Sequence, residues 1–285
     1  MISTKSRMHR ADALVADSRA TGPDAFEATL RLPPADRFHG PVARRTHDPL
    51  LLLEGVREAG LLVAHSEYEV PAGFKFVVHE MMFKLDPAGL RTRGSKPVDI
   101  VVTISADEIR RRRQNFAGMR FDFTCVRDGE QFGRIEYRWS CLSPDAYLGV
   151  RGENKDAVPA VTGASVPVRP KLVGRHDSID VMLAKSPDGV GWRLRVDPQH
   201  PELFDHPTDH VPGNALIEAV RQAALLVAGK PHAVPVAGDI DFHHYVEFGR
   251  PSVVQAEKQN ETINVKVCQD DRIAMVADIE LRPLG

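Results

Sequence analysis

Two glutamates, two arginines and two histidines stand out chemically in this 285-residue sequence. Glu54 and Arg57 are three residues apart, and Glu218 and Arg221 repeat the spacing. On a helix, side chains three residues apart leave from neighbouring positions on one face. His206, Asp209, His210 and Gly213 precede the second pair, in FDHPTDHVPGNALIEAVRQAA (204–224). A histidine titrates near neutrality and suits proton transfer. His206 and His210 are four apart, a spacing that holds zinc when it falls on a helix. Pro207 and Pro212 flank them here and exclude a helix. A hydrogen-bonded loop is therefore expected, with no metal site.

The elements that must position these residues come next, and they occur twice. Residues 50–64 read LLLLEGVREAGLLVA and residues 214–228 read NALIEAVRQAALLVA. At a constant offset of 164 residues, nine of the fifteen positions are identical, including both Glu and both Arg. Two copies half a chain apart point to a duplicated domain. Apolar residues surround each copy on nearly all sides, as expected of a helix buried in the middle of a fold. Charges are almost never fully buried unless paired, and an uncompensated one costs roughly 3–5 kcal/mol. One reading of Glu-x-x-Arg is a structural ion pair that fixes how the helix sits. The other is a polar floor in an apolar pocket, favoured because the pair occurs twice.

Composition sets the outer bounds. The length allows one large or two ordinary domains. An apolar content of 42% with 27% charged residues is that of a globular protein. The net charge of −2 argues against nucleic acid as a partner. Cys125, Cys141 and Cys268 show neither CxxC nor metal-ligand spacing, which fits a reducing compartment. The first twenty residues lack the apolar core of a signal peptide, and no apolar run reaches bilayer length. The expectation is a cytoplasmic protein with no membrane partner.

Along the chain, residues 11–32 predict two strands around Gly22-Pro23-Asp24. A loop (33–48) feeds the first helix, with Asp48 as N-cap and Pro49 at the first helical position. Strands follow at 74–85 and 97–109, then a run of four Arg (Arg110 to Arg113) that reads chiefly as solvated surface. The stretch 119–142 alternates around Asp128-Gly129, a hairpin signal. Residues 143–170 predict a linker between an N-terminal domain (1–142) and a C-terminal one (171–285). The second half repeats the order: a hairpin at 181–196, a His- and Pro-rich loop, the second helix, and strands at 239–248, 252–259, 261–269 and 272–283. His243-His244 predicts a strand pair, one side chain pointing in and one out. The pattern suggests an α+β fold, with a tandem double hotdog as the expected architecture, each half an antiparallel sheet wrapped around a long central helix.

HPTDHVPG followed by LIEAVRQAA resembles a signature of the A-factor biosynthesis (γ-butyrolactone synthase) family, and DPLLLLEGVREAGLLVAH resembles its other signature. The spacing of the two implies that this architecture covers almost the whole chain. More distantly, His206-Pro207, Pro212-Gly213 and Glu218 are similar to the β-hydroxyacyl thioester dehydratases, also hotdog proteins, though the loop is shorter here. The first half keeps Glu54 and Arg57 without a His-Pro…Pro-Gly loop. His39 or His47 is either a displaced counterpart or simply loop.

The family resemblance implies an acyltransferase. A β-ketoacyl group would pass from a carrier thioester to the hydroxyl of dihydroxyacetone phosphate, giving an ester that later closes to a butenolide. The attacking hydroxyl needs a base: His206 or a helix Glu, whose pKa burial among apolar groups would raise. The phosphate needs a fork, for which Arg57 and Arg221 are candidates. The thioester oxygen needs donors, and the turn Val211 to Asn214, through Gly213, would present backbone N–H groups. The expected productive site combines His206 and His210 with Glu54 and Arg57. A second, around Glu218 and Arg221, is working, vestigial or structural. Asp209 is a binding candidate. Acyl transfer calls for neither metal nor redox cofactor. The donor is carried on acyl carrier protein or coenzyme A, and the state expected is monomer or homodimer. A dehydratase or thioesterase, and a non-catalytic acyl-binding protein, are the competing readings.

Overall fold

A computed structural model describes residues 13–43, 45–112, 115–160, 166–187, 189–204 and 207–284. The chain divides into two compact units after Val150. No helix among the described residues is long and apolar enough to cross a membrane.

The first unit opens with β1 (Val15–Gly22) and β2 (Ala25–Leu32), joined through Asp24 at a φ of 51°. Helix α1 (Pro49–Ser66) follows, then β3 (Lys75–Leu85), β4 (Val98–Arg112), β5 (Asn115–Arg127) and β6 (Glu130–Leu142). The strands lie in the order β1-β2-β4-β5-β6-β3, antiparallel throughout. The β5–β6 turn is Asp128-Gly129, both at positive φ (53° and 85°), the geometry such a two-residue hairpin demands. Helix α1 starts as its sequence predicts: the Leu50 N–H donates to Asp48 Oδ1 at 3.0 Å, with Pro49 in the first turn. Leu52, Val56 and Ala59 on α1 are fully buried. A Cβ added at Gly60 would lie 2.7 Å from the Trp139 ring and 3.2 Å from Phe123. The helix thus lies directly against the aromatic interior face of β5 and β6.

The second unit follows the same plan. Short strands β7 (Leu183–Lys185) and β8 (Trp192–Leu194) form the hairpin expected around residues 187–189, of which Asp188 lies outside the described residues. Helix α3 (Gly213–Ala228) and strands β9 (Ala233–Phe242), β10 (Ser252–Gln259), β11 (Thr262–Gln269) and β12 (Arg272–Pro283) complete it. Their order is β7-β8-β10-β11-β12-β9, again antiparallel. Strand for strand this matches the first unit. Buried residues alternate along β11, as period-2 patterning requires. The core is aliphatic here, with Val254, Val265, Val267, Met275 and Ala277 fully buried. Gly229 ends α3 in the left-handed conformation (φ 63°), its N–H reaching the carbonyls of Leu225 and Leu226.

The structure adds detail to some expectations and corrects others. The stretch 143–170 holds a short helix, α2 (Pro144–Arg151), and a 3-10 turn over Gly152–Asp156. Strand β9 begins at Ala233, six residues before the expected start, and ends at Phe242. Pro235 and Gly238 disguised it: Pro235 is accommodated where the register with β12 shifts between Glu280 and Leu281. His243 and His244 therefore lie beyond the strand. Both are exposed, their N–H groups directed at the Ala274 carbonyl, so the in-and-out strand pair is corrected. The Arg run is also partly strand, since Arg110 to Arg112 extend β4 with exposed side chains; Arg113 lies outside the described residues.

Candidate functional site

In the first unit, α1 presents Glu54 and Arg57 as a bidentate pair. Arg57 Nε donates to Glu54 Oε2 at 2.9 Å and Nη2 donates to Oε1 at 2.5 Å. The side chains keep 15% and 32% of their exposure, so the pair reaches solvent. Burial works against the Arg57 charge, but Glu54 outweighs it and holds the guanidinium pKa above its ordinary value. Arg57 Nη1 makes no hydrogen bond among the described residues, leaving one edge of the fork for a ligand. One turn on, Glu58 Oε2 accepts the Leu14 N–H at 3.0 Å and ties the helix to the start of β1.

The matching pair of the second unit is enclosed. Glu218 is fully buried and Arg221 nearly so. Arg221 donates to both Glu218 oxygens (2.8 and 2.7 Å), and so does Arg175 (2.9 and 2.7 Å). Gln222 Nε2 adds a fifth bond to Oε1 at 2.5 Å. Gln222 also donates to the Asp180 carbonyl and accepts the Met182 N–H, tying the helix to the start of β7 as Glu58 does for β1. Burial alone would raise the Glu218 pKa. The guanidiniums of Arg175 and Arg221 outweigh burial and hold the carboxyl well below the ordinary carboxylate range. The expectation of a Glu raised toward neutrality is thus reversed at Glu218. The reason is Arg175, 43 residues away and invisible to local spacing.

The loop before α3 brings Asp209 and His210 together. His210 Nδ1 lies 2.7 Å from Asp209 Oδ1, and its ring meets Tyr245 edge-on at 4.6 Å. Arg151 clamps Asp209 from behind: Nε donates to Oδ2 at 2.9 Å and Nη2 to the backbone carbonyl at 3.0 Å. The same guanidinium grips both oxygens of Glu247 (2.8 and 2.6 Å) and lies 4.4 Å from the Tyr245 ring centre. Burial would lower the Arg151 pKa, but the hydrogen bonds it donates to Glu247 and Asp209 outweigh it. Burial pushes the Tyr245 hydroxyl pKa up, with Arg151 opposing. The Val211 N–H donates to the Val246 carbonyl at 2.9 Å, and α3 starts at Gly213. The Ala215 N–H donates to Asn214 Oδ1 at 2.9 Å and to the Pro212 carbonyl at 3.0 Å, whereas the amides of Gly213 and Asn214 at the helix start have no intrahelical partner. His206 lies outside the described residues.

Arg151, Glu247, Tyr245, Arg175 and Gln222 were not singled out in the sequence. Gln222 had a signal, since it replaces Glu58 in the repeat; the others stand far from the motifs they support. Among the described residues, no three His, Cys, Asp or Glu gather as a metal site. His39 and His47 have separate surroundings: His39 Nδ1 sits 3.5 Å from Asp36, and His47 is buried with its pKa lowered by burial and by Arg127.

The fold is shared with solved structures. One is a 12:0-ACP thioesterase from Umbellularia californica (14% identity, 93% of this chain and 100% of that one, TM-score 0.54). Another is the dehydratase domain from the CurF module of Curacin polyketide synthase (12%, 96% and 99%, TM-score 0.53). At such identities the likeness is one of fold alone. The sequence model of the A-factor biosynthesis hotdog domain matches residues 5–143 and 157–284. The chain belongs to that family. It is 35% identical over 264 residues to a 2-oxo-3-(phosphooxy)propyl 3-oxoalkanoate synthase of Streptomyces virginiae, covering 90% of this chain and 88% of that one. A protein of the same description from Streptomyces griseus is 36% identical over 254 residues, covering 86% and 82%.

Proposed function

We propose that this protein transfers a β-ketoacyl group from a thioester to the hydroxyl of dihydroxyacetone phosphate. The relatives' shared description supplies the substrate class: a phosphorylated three-carbon alcohol and a 3-oxoalkanoate. The observation that carries the chemistry is the Asp209–His210 pair at 2.7 Å, fixed by Arg151 and placed just ahead of a helix start. Asp209 accepts from Nδ1–H, which puts the lone pair on Nε2. Nε2 takes the hydroxyl proton as the alkoxide attacks the thioester carbonyl. The oxyanion is stabilised by the amides at Gly213 and Asn214. Collapse expels the thiolate, which recovers the proton from the imidazolium, leaving an ester and a free thiol. The phosphate calls for a guanidinium fork, and Arg57 of the first unit, steadied by Glu54, is the candidate for it. Glu218 and Arg221 are an internal anchor in this reading, and His206 is a second candidate base. Neither metal nor redox cofactor has a step to perform. Each unit is read as one hotdog of a tandem pair, a reading supported by the identical strand orders. Coenzyme A or an acyl carrier protein carries the donor.

The test is mass spectrometry of purified protein with a β-ketoacyl thioester and dihydroxyacetone phosphate. An acyl phosphate-ester mass, absent with unphosphorylated dihydroxyacetone, is expected. His210→Ala should slow its formation by about 10²–10⁴-fold. An undiminished rate would remove His210 as the base. Free acid or a dehydrated thioester as sole product would replace the transferase reading.

A further inference from the structure

The two units make the same backbone connection ahead of their long helices and surround it with opposite charge. In the first unit the His47 N–H donates to the Leu90 carbonyl at 2.8 Å; in the second the Val211 N–H donates to Val246 at 2.9 Å. Two residues before that bond, and one after its acceptor, the second unit carries Asp209 and Glu247, with Arg151 clamped between them. The first unit carries Arg45 and Arg91 at the same places.

The backbone holds these arginines side by side. Thr46 bridges to Arg91, and the Thr92 N–H donates to the Arg45 carbonyl at 2.9 Å. Both side chains are exposed, and neither has a carboxylate partner among the described residues. Behind them Arg127, little exposed, donates through Nη1 to the carbonyls of Gly89 and Arg91 (2.8 and 2.5 Å). Asp128 is set against Arg93 and Arg127. Arg45, Arg91, Arg93 and Arg127 thus meet at this corner with Asp128 as the acid set against them. Where the second unit answers its two acids with an internal guanidinium, the first presents two cations with no carboxylate set between them among the described residues.

We propose that Arg45 and Arg91, backed by Arg127, form a subsite for the phosphorylated handle of the thioester donor. The inference rests on the thioester reading above. The acceptor's phosphate is a poor fit. Arg57, assigned to it, lies nine residues beyond Asp48, roughly 14 Å along the helix axis, so a three-carbon molecule does not serve both places. Phosphate on a pantetheine arm is common to coenzyme A and to an acyl carrier protein, and supplies the charge-assisted bonds that paired arginines favour.

The test compares the R45A/R91A double variant with the wild type, using β-ketoacyl thioesters of coenzyme A, of a phosphopantetheinylated carrier protein and of phosphate-free N-acetylcysteamine. Expected is a KM for the phosphate-bearing donor raised about tenfold, some 1.4 kcal/mol. The KM for dihydroxyacetone phosphate, the kcat and the N-acetylcysteamine kinetics should be unchanged. A rise with the coenzyme A thioester assigns the coenzyme's phosphates; a rise confined to the carrier thioester assigns the carrier's. Unchanged donor KM values, or a rise in the acceptor's KM instead, would overturn the proposal. Should the wild type form no ester, the functional reading fails separately. Calorimetric binding of coenzyme A to both proteins then decides the subsite: weakened binding in the variant supports it, and equal binding ends it.

Discussion

The same five-residue idea, Glu-x-x-Arg followed by Glu or Gln, has been put to opposite uses on α1 and α3. On α1 the acid pairs with an arginine of its own helix, and both side chains retain access to solvent. On α3 the acid is sealed under two guanidiniums and an amide. A carboxylate accepting five hydrogen bonds has no capacity left for catalysis, while a half-exposed pair can still exchange partners. Two residues decide the difference. Arg175 closes over Glu218 from outside the repeat, and Gln222 offers a donor where Glu58 offers none.

The sharpest way to break this contrast is Glu218→Ala. Arg175 and Arg221 would be left buried without their acid, costing about 3–5 kcal/mol, read by chemical denaturation. The pH dependence carries the same sign. The folded-state pKa of Glu218 lies below its unfolded value. Its stabilisation is therefore complete above the unfolded carboxylate value, about 4.3, and lost as the pH falls below that through the folded value. In Glu218→Gln that acid-side loss should shrink; an identical acid profile would show that Glu218 is not its source. Next comes Gln222→Glu, which makes the α3 position copy α1. It removes both amide donors and sets a second acid against Glu218, for a loss of about 2–3 kcal/mol. A neutral result in denaturation would mean that the amide bonds contribute little.

Arg57→Ala should move stability by less than about 1 kcal/mol, because the pair is partly solvated. Its effect belongs to function: the KM for dihydroxyacetone phosphate should rise about tenfold while the melting temperature stays near that of the wild type. Comparable destabilisation of Arg57→Ala and Arg221→Ala would erase the distinction between the two helices. The smallest effect is expected for Glu58→Gln. The amide oxygen can still accept the Leu14 N–H, so stability should stay within roughly 0.5 kcal/mol, again by denaturation.

Much of the fold was legible because its signals are local. Asp48-Pro49 announces α1, and Asp128-Gly129 a hairpin that does adopt positive φ at both residues (53° and 85°). The start of β9 was not legible, since a proline inside a strand reads as an interruption until its bulge is seen. The candidate site divides along the same line. The repeat disclosed Glu54, Arg57, Glu218 and Arg221, all set by helical spacing. The burial that sequence assigns to Glu218 is correct, but its protonation depends on Arg175. The clamp on Asp209 depends on Arg151, 58 residues upstream in a stretch that resembles a tether. Ion pairs between distant segments follow from tertiary packing and leave no periodic trace.

Gly60 and Ala224 occupy the same place in the repeated helix. At Gly60 an added methyl group would lie 2.7 Å from the Trp139 ring, too close unless the ring shifts, so the α3 sequence grafted into the first unit would press against it. Only a concerted exchange of helix and sheet could succeed. Each unit's helix and sheet form a matched set, not interchangeable between the units as building blocks for recombined enzymes.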